Sequence, residues 1–459
     1  MAVGTVSTRI LTDIANAIRQ QNGGTALYKP RQMAAAVAAR DGTKAGTPGV
    51  EPYMQLESGV LPESVFSDIA DAIRGQNGLS VTYAPGDMAQ AILDLVWDVG
   101  VKVRAMLLTD GTLEFNYRDG RSSDVGTIAQ CWEVDPAGYS SDSARPWHAA
   151  RAQVRRVVFD SDFSGAGMTN FGYWFHSLQN MVEVVGFEEL SGATNVSWAF
   201  TSCPSLETIW ATSFDASAIT SATYPFNGCP RLVGQTGYVP TNTAGKAALS
   251  FGASGVLTNP ANDRRTWAWA HLYAGGALEI TGTATPDATR EVLATGRVCT
   301  NAHYQLGSAM PWYDERASLR TCEFKADLAV TFTSMDYWFY SNTTLTGVTG
   351  WANVRGLQSL RFCFNGCTGL AALDLCGLDP SSLKDLFYAF GSCTNLVTIL
   401  ADATWALPSS GVSGMYTFYN CTRLVGGNGT AYSSSAAGYA RMVIDRVGQA
   451  GYLTARNSS

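Results

Sequence analysis

The sequence predicts an α+β chain: a pair of small helical-hairpin modules followed by two β-rich solenoid domains. Three observations predict it. The phrase Phe-x-x-Cys-x-x-Leu recurs with a period of about 25 residues, the signature of stacked repeat units. The stretch that carries these phrases is itself present twice. Ahead of both copies, a short amphipathic pattern is duplicated as well.

The chain has 459 residues, too many for one ordinary core, so several folding units are expected. Hydrophobic residues make up 46% of it, which excludes disorder as the main state. Charged residues are only 15% and glycines number 46, a balance that points to short strands and frequent turns. The formal net charge is -7 and no cluster of Lys or Arg is present. Nucleic acid is therefore not expected as a partner, because phosphate binding needs dense positive charge.

The first module is expected over 1–45 and the second over 63–98, with a linker at 46–62. LTDIANAIRQQNG, from Leu11, is answered by FSDIADAIRGQNG, from Phe66. Leu11, Ile14 and Ile18 fall at helical spacing, as do Phe66, Ile69 and Ile73. Asn22-Gly23 and Asn77-Gly78 end those helices, since Gly accepts the left-handed conformation there. Pro30 and Pro85 suit the first turn of a second short helix, carrying Met33 and Val37 or Met88 and Ile92. Hairpins this small bury little surface alone. Their apolar faces are expected to be covered by each other, by a second copy of the chain or by another protein, so a homo-oligomer is expected.

The first solenoid domain is expected over 99–275 and the second over 276–459. Full copies of the phrase are Phe200-Cys203-Leu206 and Phe226-Cys229-Leu232 in the first, and Phe364-Cys367-Leu370, Phe390-Cys393-Leu396 and Phe418-Cys421-Leu424 in the second. Degenerate copies are Phe175-Leu178-Met181 and Phe339-Asn342-Leu345. One unit cannot bury its own apolar face, whereas stacked units share a column. Each Phe is therefore expected to stack on its neighbours, and Cys, Leu or Asn to fill a small buried slot. Another aromatic stands two residues before each Phe: Tyr173, Trp198, Tyr224, Tyr337, Phe362, Tyr388 and Tyr416. After each Leu comes a short alternating stretch, as in LETIWA and LVTILA, read as one strand per rung.

A metal ligand would not tolerate replacement by Leu, and the ten cysteines and four histidines lie in no zinc-type spacing. No metal, no cofactor and no disulfide framework is expected. Nor is a catalytic set visible. A nucleophile elbow and a P-loop are both missing. Asp160 with Asp162, and Glu188 with Glu189, are read as solvated loop charge, and His148 beside Trp147 as a surface histidine. The chain is expected not to be an enzyme. Trp210, Trp267, Trp269 and Trp405 are the nominated ligand contacts, because indoles give large, rigid contact area.

With the rungs laid out, residues 165–240 and 330–430 resemble BspA-like leucine-rich repeats, in the variant with an F-x-x-C-x-x-L core. Their step before the Phe reads WF, AF, PF or CF rather than the Leu/Met-rich form usual in that family. The resemblance implies leucine-rich-repeat-like solenoids used as bacterial surface adhesins and host-binding proteins. The IADAIR…NG…Y-x-P-x-x-M modules resemble short segments of tail and other structural proteins of phages and prophages of Gram-positive bacteria. Together these imply a non-enzymatic virion protein, such as a tail fibre or baseplate component. Its N-terminal modules would dock to other virion proteins, and its repeats would bind a host-surface glycan or protein. The first 21 residues contain no basic segment followed by an apolar run, so no signal peptide is read. No membrane insertion is expected. The expected location is the virion, after synthesis in the host cytoplasm and release on lysis. The alternative is a cell-surface or secreted adhesin, outside the cell, and a third reading is a glycan hydrolase.

Overall fold

The computed structural model of the protein describes residues 14–18, 63–77, 84, 87–93, 101–119, 123 and 126–456. They are mixed α/β, mostly sheet with few helices. The chain divides into two compact units. One comprises 1–110, 114–135 and 160–166; the other comprises 111–113, 136–159 and 167–459.

In the first unit, residues 14–18 are helical, and helices α1 (Glu63–Asn77) and α2 (Met88–Leu93) follow. Ile14, Ile18, Ile69, Ile73 and Met88 are buried, the stripe that helical periodicity selects. Leu11, Asn22-Gly23, Pro30, Met33, Val37, Gly78, Pro85 and the linker 46–62 lie outside the described residues. Strand β1 (Val101–Leu108) precedes β2 (Thr112–Asp119). It pairs antiparallel with β3 (Ile128–Glu133), Met106 opposite Cys131. Arg118 holds both Asp160 and Asp162, the latter at 2.7 Å.

The rungs of the second unit carry parallel strands, one per rung. Strands β4 (Arg156–Phe159), β5 (Glu183–Val185), β6 (Thr208–Trp210) and β7 (Leu257–Thr258) pair in that order. Val157, Val184, Ile209 and Leu257 meet in register and are fully buried. The second array starts with antiparallel strands β8 (Trp267–Tyr273), β9 (Ala277–Thr281) and β10 (Val292–Cys299). The β8–β9 hairpin spans residues 275 and 276, where the sequence places the junction of the two domains. Strand β11 (Thr321–Phe324) pairs parallel with β9 and with β12 (Gly347–Thr349). Strands β13 (Ala372–Asp374), β14 (Thr398–Asp402) and β15 (Leu453–Arg456) continue the parallel pattern.

After β5 and β12 the chain must turn sharply. Gly186 and Gly350 sit there at φ +76° and +80°, and a Cβ on either would strike the carbonyl oxygen of Phe159 or Phe324 one rung back. Only glycine meets both demands.

The rung phenylalanines form two buried stacks. Phe175–Phe200 and Phe200–Phe226 lie 5.0 and 5.7 Å apart, centroid to centroid. Phe339–Phe364, Phe364–Phe390 and Phe390–Phe418 lie 5.3, 5.6 and 5.6 Å apart, with planes within 19°. Edge-on rings finish these stacks: Phe159 stands at 86° to Phe175, and Tyr452 at 89° to Phe418. The phrase leucines Leu206, Leu232, Leu370, Leu396 and Leu424 are fully buried beside them.

Candidate binding face

Each rung turns through a tight segment around its Phe. Alternate backbone N–H groups there donate to the next rung: Phe362 to Phe387 O, Phe364 to Ala389 O and Gly366 to Gly391 O, at 2.8–2.9 Å. The intervening ones close turns within the rung, as Cys367 N–H does on Phe364 O at 3.0 Å. This geometry puts two residues per rung into the left-handed region. One lies two residues before the Phe, the other two residues after it.

The two positions are filled in opposite ways. The later one holds Ser177, Ser202, Gly228, Ser341, Gly366, Ser392 and Asn420, small or amide residues that this conformation tolerates. The earlier one holds Tyr173, Trp198, Tyr224, Tyr337, Phe362, Tyr388 and Tyr416, at φ between +48° and +63°. A bulky residue is strained there, by roughly 1–2 kcal/mol each. Stacking of a ring pair contributes about 0.5–1.5 kcal/mol beyond the area it buries, so the strain is offset within the column. The rings, left half-buried or exposed, present a regular aromatic face across all seven rungs.

These rings form an outer column on each array, half-buried or exposed. In the second array Tyr337–Phe362, Phe362–Tyr388 and Tyr388–Tyr416 lie 4.9, 5.2 and 5.0 Å apart. Tyr340, Phe387 and Tyr419 flank the column. Tyr340, Tyr416 and Tyr419 are 36%, 41% and 47% exposed, and Met415 beside them is 62% exposed. Arg361 lies over Phe362 and Phe387, at 5.4 and 4.4 Å, and pairs with Asp385 at 3.6 Å. In the first array Tyr173, Trp198 and Tyr224 make a shorter, less regular column, with steps of 6.4 and 5.2 Å.

The rung cysteines have a bonding role that spacing could not reveal. Each Sγ lies 2.9–3.0 Å from the carbonyl oxygen of the Phe one rung back: Cys203 on Phe175, Cys229 on Phe200, Cys367 on Phe339, Cys393 on Phe364 and Cys421 on Phe390. None of the ten cysteines is joined in a disulfide. Burial pushes the Cys229 and Cys367 thiols up, and Cys421 together with burial pushes up Cys393. These groups keep their proton and can donate it. The degenerate copies fall on the first rung of each array, at Leu178 and Asn342, where no rung Phe precedes to offer its carbonyl.

The nominated tryptophans are placed differently from one another. Trp405 is 7% exposed and its indole N–H donates to Met442 O at 3.1 Å, which makes it a core residue with one edge on a cavity of about 410 Å³ near Pro380 and Asp402. Trp210 and Trp267 are brought together by Arg265, whose guanidinium carbon is 5.1 and 5.3 Å from their rings. Arg265 is buried and donates to Thr208 Oγ1 and Val233 O. The cluster thus ties β6 to the start of the second array. Trp269 stacks on buried His271. None of the four belongs to an outer column. The signal that would have found the columns is the contrast between an always-aromatic position and one four residues later that is always Ser, Gly or Asn.

Other candidate groups are engaged in local structure. Asp160 and Asp162 share Arg118. Glu188 accepts from Thr212 Oγ1 at 2.9 Å. His148 lies 3.9 Å from Asp142, and Trp147 is buried with its N–H on Trp174 O. Among the described residues, no group of three or more His, Cys, Asp or Glu is placed to hold a metal ion. Among them too, no helix is long and apolar enough to cross a membrane.

No family model and no curated protein matches the chain. Among solved structures it is similar to a leucine-rich repeat protein from Eubacterium ventriosum, at 14% identity and a TM-score of 0.23, over 79% of this chain and 95% of that one. It is also similar to a leucine rich cell surface protein from Faecalibacterium prausnitzii A2-165, at 14% identity and a TM-score of 0.21, over 71% of this chain and 93% of that one.

Proposed function

We propose that this chain is a non-enzymatic adhesive repeat protein that works at a surface, with the outer aromatic columns as its contact face. One observation carries the reading. Seven bulky aromatics occupy strained left-handed positions and leave their rings half-buried or exposed, while the position four residues later takes Ser, Gly or Asn. Strain kept at a regular set of sites motivates a functional hypothesis. Exposed aromatics supply contact area at low entropic cost.

A second reading, in which the same face belongs to a virion protein, is favoured by the duplicated N-terminal modules and their sequence resemblance to phage structural segments. In that reading the modules dock to the particle or join copies of the chain. Binding of the purified full chain to intact cells, with and without Tyr388→Asn and Tyr416→Asn, tests the shared claim. Asn accepts the left-handed conformation, so the rung keeps its path while the rings are lost. Attachment should fall at least tenfold; undiminished attachment would remove the columns from the account. Immunogold labelling of a producing culture separates the settings: label on cell envelopes supports the adhesin, and label on released particles supports the virion.

A further inference from the structure

The outer column of the second array restricts its ligand in three ways. The first is its step. Four rings repeat every 4.9–5.2 Å, because the rungs are spaced as neighbouring strands are. A ligand that meets several rungs in the same way must repeat at that step. An extended peptide advances about 3.3 Å per residue and falls out of register. A β-linked pyranose chain, extended by one ring per unit, advances by close to one rung.

The second restriction is charge. Arg361 is paired with Asp385 against the column, and Asp336 beside Tyr337 is paired with His303. Phosphate-rich or strongly acidic polymers find no excess of positive charge here. The third is polarity at the ring edges. The hydroxyls of Tyr337, Tyr340, Tyr388, Tyr416 and Tyr419 have no hydrogen-bond partner among the described residues. Desolvation pushes the Tyr337 and Tyr388 phenols above their ordinary range, so they remain neutral groups able to donate and accept. The column therefore offers ring edges and, at every rung but that of Phe362, a hydroxyl, a mixed apolar and polar strip suited to the C–H and O–H groups of a sugar.

Resting on the contact-face reading above, we propose that this column binds a neutral, extended polysaccharide laid along it, one sugar per rung from Tyr337 to Tyr416. Its area suits a narrow chain. Five partly exposed tyrosines offer on the order of 400 Å², about half of what one partner contributes to a standard protein interface.

The test is titration of the full chain with neutral β-1,4-linked glucose and N-acetylglucosamine oligomers, from disaccharide to hexasaccharide. Affinity should rise with each sugar up to the tetrasaccharide and then level off. Tyr388→Asn should lower it roughly tenfold, the size of an aromatic hot-spot loss. Tyr388→Phe, which keeps the ring, should lower it less. Affinity that does not depend on length, or that is unchanged in Tyr388→Asn, would overturn the proposal. So would cell attachment that is destroyed by protease treatment of the target cells, or dimerisation of the free chain lost in Tyr388→Asn. If no oligomer binds yet Tyr388→Asn still abolishes cell attachment, the saccharide inference falls and the adhesive face stands. If attachment survives Tyr388→Asn with Tyr416→Asn, the adhesive face itself falls.

Discussion

Replacing Cys393 tests whether the rung thiol is a hydrogen-bond donor or only filling. The Cys393 side chain is fully buried, and its Sγ lies 3.0 Å from Phe364 O. That carbonyl also accepts from Cys367 N–H at 3.0 Å, so the thiol serves its second lone pair. In Cys393→Ala the sulfur leaves a void of about 25 Å³, worth roughly 0.6 kcal/mol at the known cost of cavity volume. Loss of its burial adds about 0.8 kcal/mol, as for one methylene. Loss of a weak donor adds about 0.5–1 kcal/mol. The expected destabilisation is about 2 kcal/mol, read from the denaturant midpoint of the full chain. Cys393→Ser gives the sign of the argument. A hydroxyl restores a donor to Phe364 O, so Ser should cost less than Ala if the bond matters. If the slot is merely apolar, an unmatched hydroxyl makes Ser cost as much or more. Asn342→Cys should bring no gain, because no rung Phe precedes it. Ser worse than Ala at Cys393, or a clear gain in Asn342→Cys, would refute the reasoning.

Other outcomes follow from the same geometry. Phe390 is fully buried between Phe364 and Phe418, and Phe390→Ala should cost about 3–5 kcal/mol, measured by the same unfolding assay. Thiol labelling of the native chain should reach half-buried Cys131 before Cys203, Cys367, Cys393 and Cys421, which should react only on unfolding. His303 Nδ1 lies 2.9 Å from the buried carboxylate of Asp336, and this partner raises its pKa above 6.5. The protonated pair stabilises the fold below pH 6.5 and is lost as pH rises through the higher folded value. Melting temperature should therefore drop across that window in the native chain, and the drop should shrink in His303→Gln.

Much of the fold was legible because the chain repeats itself. The recurrence of Phe200, Phe226, Phe364, Phe390 and Phe418 sets the period, and the alternation in LVTILA marks the strand that appears as β14. Backbone conformation was not legible. Nothing in the residue types at Tyr337 or Tyr388 announces a positive φ, because bulky residues are the last expected there. The carbonyl partner of each cysteine lies one rung away and so is invisible to spacing within a rung. The antiparallel strands β1, β3 and β8 to β10 lie outside the 25-residue period and carry no copy of the phrase. Trp210, Trp267, Trp269 and Trp405 are nominated by residue type, which does not distinguish Trp405, buried beneath Met442, from the half-buried Trp210, Trp267 and Trp269.

Hydroxyl-radical footprinting of the full chain, free and attached to a target surface, tests the central claim most directly. The account predicts that Tyr388, Tyr416, Tyr419 and Met415 lose reactivity on attachment, while buried Phe390 and Trp405 are unreactive in both states. Protection confined to Trp210, Trp267 and Trp269, with the outer columns as reactive as in the free chain, would contradict it.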